Sequence, residues 1–90
     1  MKHLEKLERI GKGIANRRRL TILSLLDRRP ASPLYVIAET LKLNFKTASD
    51  HVHRLSRAGL VIKRSRGNVV QHVLSDTGKS ILKLLRALDN

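Results

Sequence analysis

Residues 32–61 read SPLYVIAETLKLNFKTASDHVHRLSRAGLV. Leu34, Ile37, Ala38 and Leu41 recur at i, i+3, i+4 and i+7, the pattern of one apolar helix face. Ser32 stands at a capping position and Pro33 at the favoured first helical position, so the spacing predicts a helix ending near Lys42. Leu43 plugs the turn that follows. Asn44 caps a second helix, Phe45 to about Ala58, and Gly59 stops it through a left-handed C-terminal position. Two amphipathic helices joined by so short a turn make a helix-turn-helix.

Successive residues of a helix lie 100° apart, which separates two faces of the second helix. Ala48, Val52 and Leu55 cluster on one, with His51 and Ala58 at its edge. Lys46, Ser49, Asp50, His53 and Arg57 cluster on the other. The first set packs; the second is suited to a DNA major groove. Arg57 and Lys46 reach phosphates or guanine edges, Ser49 and His53 donate or accept, and Asp50 either accepts from cytosine N4 or repels phosphate. The bland alternative is a solvated helix face with an Asp50–Arg54 pair at i, i+4.

The flanks extend this core. Leu4, Leu7, Ile10 and Ile14 give a helix over residues 3–14, weakened at its end by Gly11 and Gly13. Asn16 caps a helix over 17–28 whose first turn is Arg17-Arg18-Arg19. Cations there oppose the helix dipole by about 0.3–1 kcal/mol each when exposed, which favours a nearby phosphate at Arg17 or Arg18. Arg19 has the alternative of pairing with an acid such as Glu39.

Beyond Gly59 the residues turn β-branched. Residues 60–64 and 69–74 read as strands around the turn Ser65-Arg66-Gly67-Asn68, with Lys63, Arg64 and Arg66 toward the tip. Ser75 to Gly78 then opens a last helix running to about Leu88. The order is α-α-α-α-β-β-α, a mainly α fold with a small β-hairpin: a winged helix-turn-helix.

Composition agrees. Ninety residues bound one small domain, 1–90, and 41% hydrophobic residues supply one core, one small enough to favour a partner subunit. Nineteen Lys and Arg against seven Asp and Glu give a net charge of +12, which favours a polyanion, nucleic acid before membrane. Tyr35 and Phe45 are the only aromatics, too few for a stacking platform on single strands. Absence of cysteine excludes disulfides and thiolate metal sites. No apolar run is long enough to span a membrane, and MKHLEKLERIG has no signal-peptide core, so a cytoplasmic protein is expected. No phosphate loop or catalytic constellation is present, so no enzyme is expected.

Four segments resemble ArsR-type winged-helix repressors, with some MarR-like character. ANRRRLTILSLL, residues 15–26, is similar to the family's second-helix motif. KTASDHVHRLSRAGLV, residues 46–61, resembles its recognition-helix motif at Thr47, Ser49, His51, Leu55, Ala58, Gly59, Leu60 and Val61, with Val52 for the usual Leu. RGNVVQHVL resembles the wing, with His72 where an aromatic is common, and LSDTGKSIL resembles the MarR-like exit into the last helix.

The resemblance implies a homodimeric transcription regulator whose first and last helices, 1–14 and 76–90, pack across a two-fold axis. Leu4, Leu7, Ile14, Ile81, Leu84, Leu85 and Leu88 suit that seam; the alternative is that they cover the monomer's own core. Metal-sensing members carry Cys on the third helix or Asp and His on the last. This chain has Leu34-Tyr35-Val36-Ile37 on the third and no His on the last. His51 and His53 lie about 200° apart and cannot chelate together. No metal or cofactor is expected on these grounds, the sequence does not name an effector, and His51 is expected to be structural.

The reading is therefore a sequence-specific regulator of double-stranded DNA. Its recognition helix, 45–58, offers Lys46, Thr47, Ser49, His53 and Arg57 to the major groove. Arg17, Arg18 and the wing residues Lys63, Arg64, Arg66 and Asn68, within 62–72, offer contacts to backbone or minor groove. Two other classes stay open: an architectural protein with weak sequence preference, and a winged helix used for protein interaction.

Overall fold

The computed structural model describes all residues 1–90. The order is α1 (Leu4–Ile14), α2 (Arg17–Arg28), β1 (Ser32–Pro33), α3 (Leu34–Leu41), α4 (Phe45–Arg57), β2 (Val61–Arg66), β3 (Val69–Leu74) and α5 (Asp76–Asp89). The winged helix-turn-helix is present, with one element more than the sequence indicates. Ser32 is not the cap of α3 and Pro33 is not its first residue: Pro33, in extended backbone, immediately precedes Leu34. Ser32 and Pro33 form a short strand antiparallel to β3, pairing Ser32 with His72 and Pro33 with Gln71. The sheet order is β1-β3-β2, so Pro33 sits on an edge strand, where its missing N–H costs no ladder bond. Ser32 caps nothing; its hydroxyl donates to the Arg29 carbonyl at 2.6 Å. No side chain caps α3.

The caps predicted at Asn16 and Asn44 form, and Ser75 supplies one for α5. The Asn16 side chain accepts from Arg18 and Arg19 N–H, that of Asn44 from Lys46 and Thr47 N–H, and Ser75 Oγ from Gly78 N–H. Each satisfies donors that the first helical turn leaves free. Gly59 takes φ +78 and ends α4 as expected. The hairpin turn is tighter than four residues: Arg66 pairs with Val69, leaving Gly67-Asn68 as a two-residue loop. Gly67 alone has positive φ, +62, the pattern of a type II′ turn.

The core is built around α2, which touches α1, α3, α4, α5 and β3. A helix surrounded so fully needs a wide apolar face, and Ile22, Leu23, Leu25 and Leu26 are all inaccessible to solvent. Ile37, Val52, Leu55 and Leu60 close over them, and Val61 and Leu74 join from the paired base of the hairpin. Each side chain so buried contributes about 1.5–3 kcal/mol. This packing fixes the direction of α4 and of the wing. No helix is long and apolar enough to cross a membrane.

Candidate nucleic-acid interface

α4 lies against α2, α3 and β2 through Ala48, Val52 and Leu55, all buried. The angular reading of its faces holds except at Ser49, which is less exposed than the rest of its set. Lys46, Asp50, His53 and Arg57 are exposed on the far side, while Thr47 and Ser49 are half-buried at its margin. Asp50 and Arg54 do not pair: the molecule's one ion pair joins Arg86 Nη1 to Asp27 Oδ2 at 2.9 Å. The cations of α4 therefore face solvent uncompensated.

The wing is exposed throughout from Ile62 to Val70. Lys63, Arg64, Arg66 and Asn68 all lie in this stretch. Strand alternation puts Arg64 and Arg66 on one face and Lys63 on the other. The wing's base is anchored by buried His72, whose Nδ1–H donates to the Ser32 carbonyl at 2.9 Å and so ties β3 to β1. Burial, above all, and then Lys63 hold His72 below the ordinary histidine pKa, against the opposing effect of the Ser32 bond.

The three arginines that begin α2 divide sharply. Arg17 and Arg18 are exposed. Arg19 is buried and does not meet Glu39. Its Nε donates to the Gly13 carbonyl at 2.6 Å and its Nη2 to the Lys12 carbonyl at 3.3 Å. It thus caps the C-terminus of α1, supplying charge-assisted donors to the Gly13 carbonyl and, alongside the Ala15 N–H, to the Lys12 carbonyl. Nη1 points to His51 Nδ1 at 3.4 Å. Guanidinium only donates, so Nδ1 accepts and the proton of neutral His51 sits on Nε2. Burial first, then Arg19, Arg18 and Arg54, lower the His51 pKa, with Asp50 acting the other way. Arg19 is itself lowered, by burial and then by Arg54. His51 is structural, as its angular position indicates.

Three basic residues outside the predicted interface, Arg9, Lys12 and Arg54, meet Arg57 beside this cap. Arg9 and Lys12 of α1 and Arg54 and Arg57 of α4 line an open groove of about 250 Å³, floored by Gly13 and Ala58. The available signal is that each pair is spaced i, i+3 and so shares a helix face. Nothing in the sequence brings the two helices together.

The residues chosen for a subunit seam are split by burial. Leu4, Leu7, Leu84 and Leu88 are exposed. Ile14 and Ile81 are half-buried against the chain's own core, and Leu85 is half-buried in a groove with Leu20 and Leu88. No three His, Asp or Glu side chains gather where they could hold a metal ion.

The fold has close counterparts among solved structures. The homodimeric winged helix-turn-helix DNA-binding domain of a possible ArsR-family transcriptional regulator from Mycobacterium bovis superposes with a TM-score of 0.88 at 30% identity, over 96% of this chain and 80% of that one. HlyU from Vibrio cholerae superposes with a TM-score of 0.83 at 32% identity, over 97% and 95% of the two chains. A MarR protein from Peptoclostridium difficile shares the fold, with a TM-score of 0.75 at 19% identity over 83% of this chain and 51% of that one. No family model and no curated protein matches the sequence.

Proposed function

Because the chain belongs to the ArsR-type winged helix-turn-helix family of transcription regulators, we propose that it is a homodimer that reads double-stranded DNA sequence-specifically. The observation that carries the reading is the exposed row Lys46, His53 and Arg57 on a rigid, capped α4, set beside a fully exposed basic wing on a chain of net charge +12. α4 enters the major groove. His53 and Ser49 address base edges, with Thr47 at the margin, while Lys46 and Arg57 serve bases or phosphates. Arg17, Arg18, Lys63, Arg64, Arg66 and Asn68 hold the backbone or minor groove.

Dimerisation supplies the second half-site. Leu4 and Leu7 of α1 with Leu84 and Leu88 of α5 are the exposed apolar surface that a second copy would cover; the similar mycobacterial domain is homodimeric. Two copies of α4 then stand about 34 Å apart, one turn of DNA. Such a regulator works in the cytoplasm, on DNA.

Fluorescence anisotropy on a panel of duplexes tests the assignment. His53→Ala relaxes base preference by about 1–3 kcal/mol if the ring reaches a base edge. Arg66→Ala weakens binding to every duplex alike. A His53→Ala protein with unchanged preference, and an Arg66→Ala protein with altered preference, would reverse the roles given to helix and wing.

A further inference from the structure

α1 and α4 approach each other closely enough that a Cβ on Gly13 would lie 2.6 Å from the Cβ of Ala58. Two small residues thus form the floor of the groove, and the long side chains next to them (Lys12, Arg57) and one turn before them (Arg9, Arg54) rise as its walls. Arg9 and Lys12 stand on one wall, Arg54 and Arg57 on the other. None of the four has a carboxylate within ion-pair distance, although Glu5, Glu8 and Asp50 each sit one turn from one of them. Buried Arg19 adds a fifth positive charge close by, near enough to Arg54 to feel it. Lys12, Arg54 and Arg57 lie in the last turns of their helices, where each complements the helix dipole by about 0.3–1 kcal/mol. That accounts for each cation singly, but not for four converging on one unpaired groove with Arg9 from mid-helix. Like charges gathered so closely repel unless an anion lies among them.

The groove is open rather than enclosed, and Arg57 belongs both to it and to the exposed row of α4. Arg57 therefore joins the exposed face of α4 to the groove, and through the groove to Arg9 and Lys12 of α1. We propose that this groove binds a phosphate group, supplied by a backbone strand of the duplex that α4 reads, so that α1 is a DNA-contacting element. The source of the phosphate rests on the DNA-binding reading; the phosphate chemistry of the groove does not.

The test compares the wild-type protein with an Arg9→Gln/Lys12→Gln variant, both positions being exposed and outside the core. An Arg9→Lys/Lys12→Arg variant keeps the charges and serves as the rescue. Duplex affinity is measured across a salt series. Loss of one neutralised phosphate per subunit, two per dimer, lowers the log–log salt slope by about 1.8, which is roughly sixtyfold in affinity at 0.1 M salt relative to 1 M. The glutamine variant is expected to show that loss for every duplex, with the ranking of sequences unchanged and the rescue variant restored. In a second arm, pyrophosphate alone is titrated against the melting temperature of each protein. If slope and affinity stay at wild-type values while pyrophosphate stabilises the wild type and not the glutamine variant, the groove takes a free phosphorylated molecule and the DNA source is overturned. If neither arm responds, the whole proposal is overturned. A wild-type protein that binds no duplex would refute the DNA-binding reading by itself, and the pyrophosphate arm alone would then decide the groove.

Discussion

Gly13→Ala sets two known effects against each other at the crossing of α1 and α4. Replacing a helical glycine by alanine ordinarily stabilises by about 0.5–1 kcal/mol, because the unfolded chain loses freedom. Here the new methyl would fall 2.6 Å from the Ala58 methyl and 3.7 Å from Leu60 Cδ1. The first separation is about 1 Å short of an ordinary carbon–carbon contact. Ala58 cannot rotate out of the way, since its Cβ is fixed to the backbone, so the helices themselves must part. Overpacking of this kind costs about 1–3 kcal/mol, and the shift also strains the Arg19 bonds to the Lys12 and Gly13 carbonyls. A net loss of about 1–2 kcal/mol is expected, a fall in melting temperature of roughly 4–16 °C for a domain this size. Ala58→Gly empties the space from the other side and should be less damaging in the Gly13→Ala background than alone. Urea unfolding of the four proteins, at one fixed concentration because a dimer's stability depends on it, gives the coupling energy. A Gly13→Ala protein more stable than wild type would refute the reasoning, since propensity would then have outweighed a contact that is not there.

Arg19→Met keeps the bulk of the side chain but strips the α1 C-terminus of its cap, and about 1.5–3 kcal/mol of stability should go with it in urea unfolding; a neutral result would mean water replaces the guanidinium freely. His51 and His72 both have pKa values lowered by burial first, so the unfolded chain binds their protons more readily. Stability is then full above the unfolded value of about 6.5 and declines as pH falls from there toward the folded values, so the melting temperature should drop between about pH 7.5 and 5.5. A rise over that window would contradict the neutral states assigned to both rings. Leu88→Glu changes a residue 74% exposed in the single chain, so folding should survive while a buried carboxylate in the subunit seam weakens association by about tenfold or more. Light scattering after size exclusion reads this directly, and an unaltered dimer would move the seam elsewhere.

Local signals carried most of the fold. Asn16, Asn44 and Gly59 announce helix ends through their own side chain or backbone freedom, and the 3.6-residue period of α3 and α4 needs no knowledge of what they pack on. β1 escaped because two residues have no period, and what makes Ser32-Pro33 a strand is a partner forty positions away in β3. Ser32-Pro33 also imitates a helix start closely, since serine caps and proline begins helices for reasons that hold equally before an edge strand. Arg19 was misplaced for a related reason. Its neighbours in sequence, Arg17 and Arg18, are solvated, and only the packing of α1 across α2 turns the third arginine inward onto backbone carbonyls. On α4, angle alone separated His51 from His53 correctly. The groove at Arg9, Lys12, Arg54 and Arg57 is tertiary: two i, i+3 pairs become one feature only where Gly13 lets the helices touch.

Selection of bound sequences from a pool of random duplex DNA tests the central claim most directly. A dimer reading two half-sites with α4 should enrich an inverted repeat whose halves lie about one helical turn apart, and a His53→Ala protein should enrich a more degenerate one. Retention of duplexes with no enrichment would make this an architectural binder held by phosphate contacts, and failure to retain any duplex at low salt would contradict the DNA-binding account altogether.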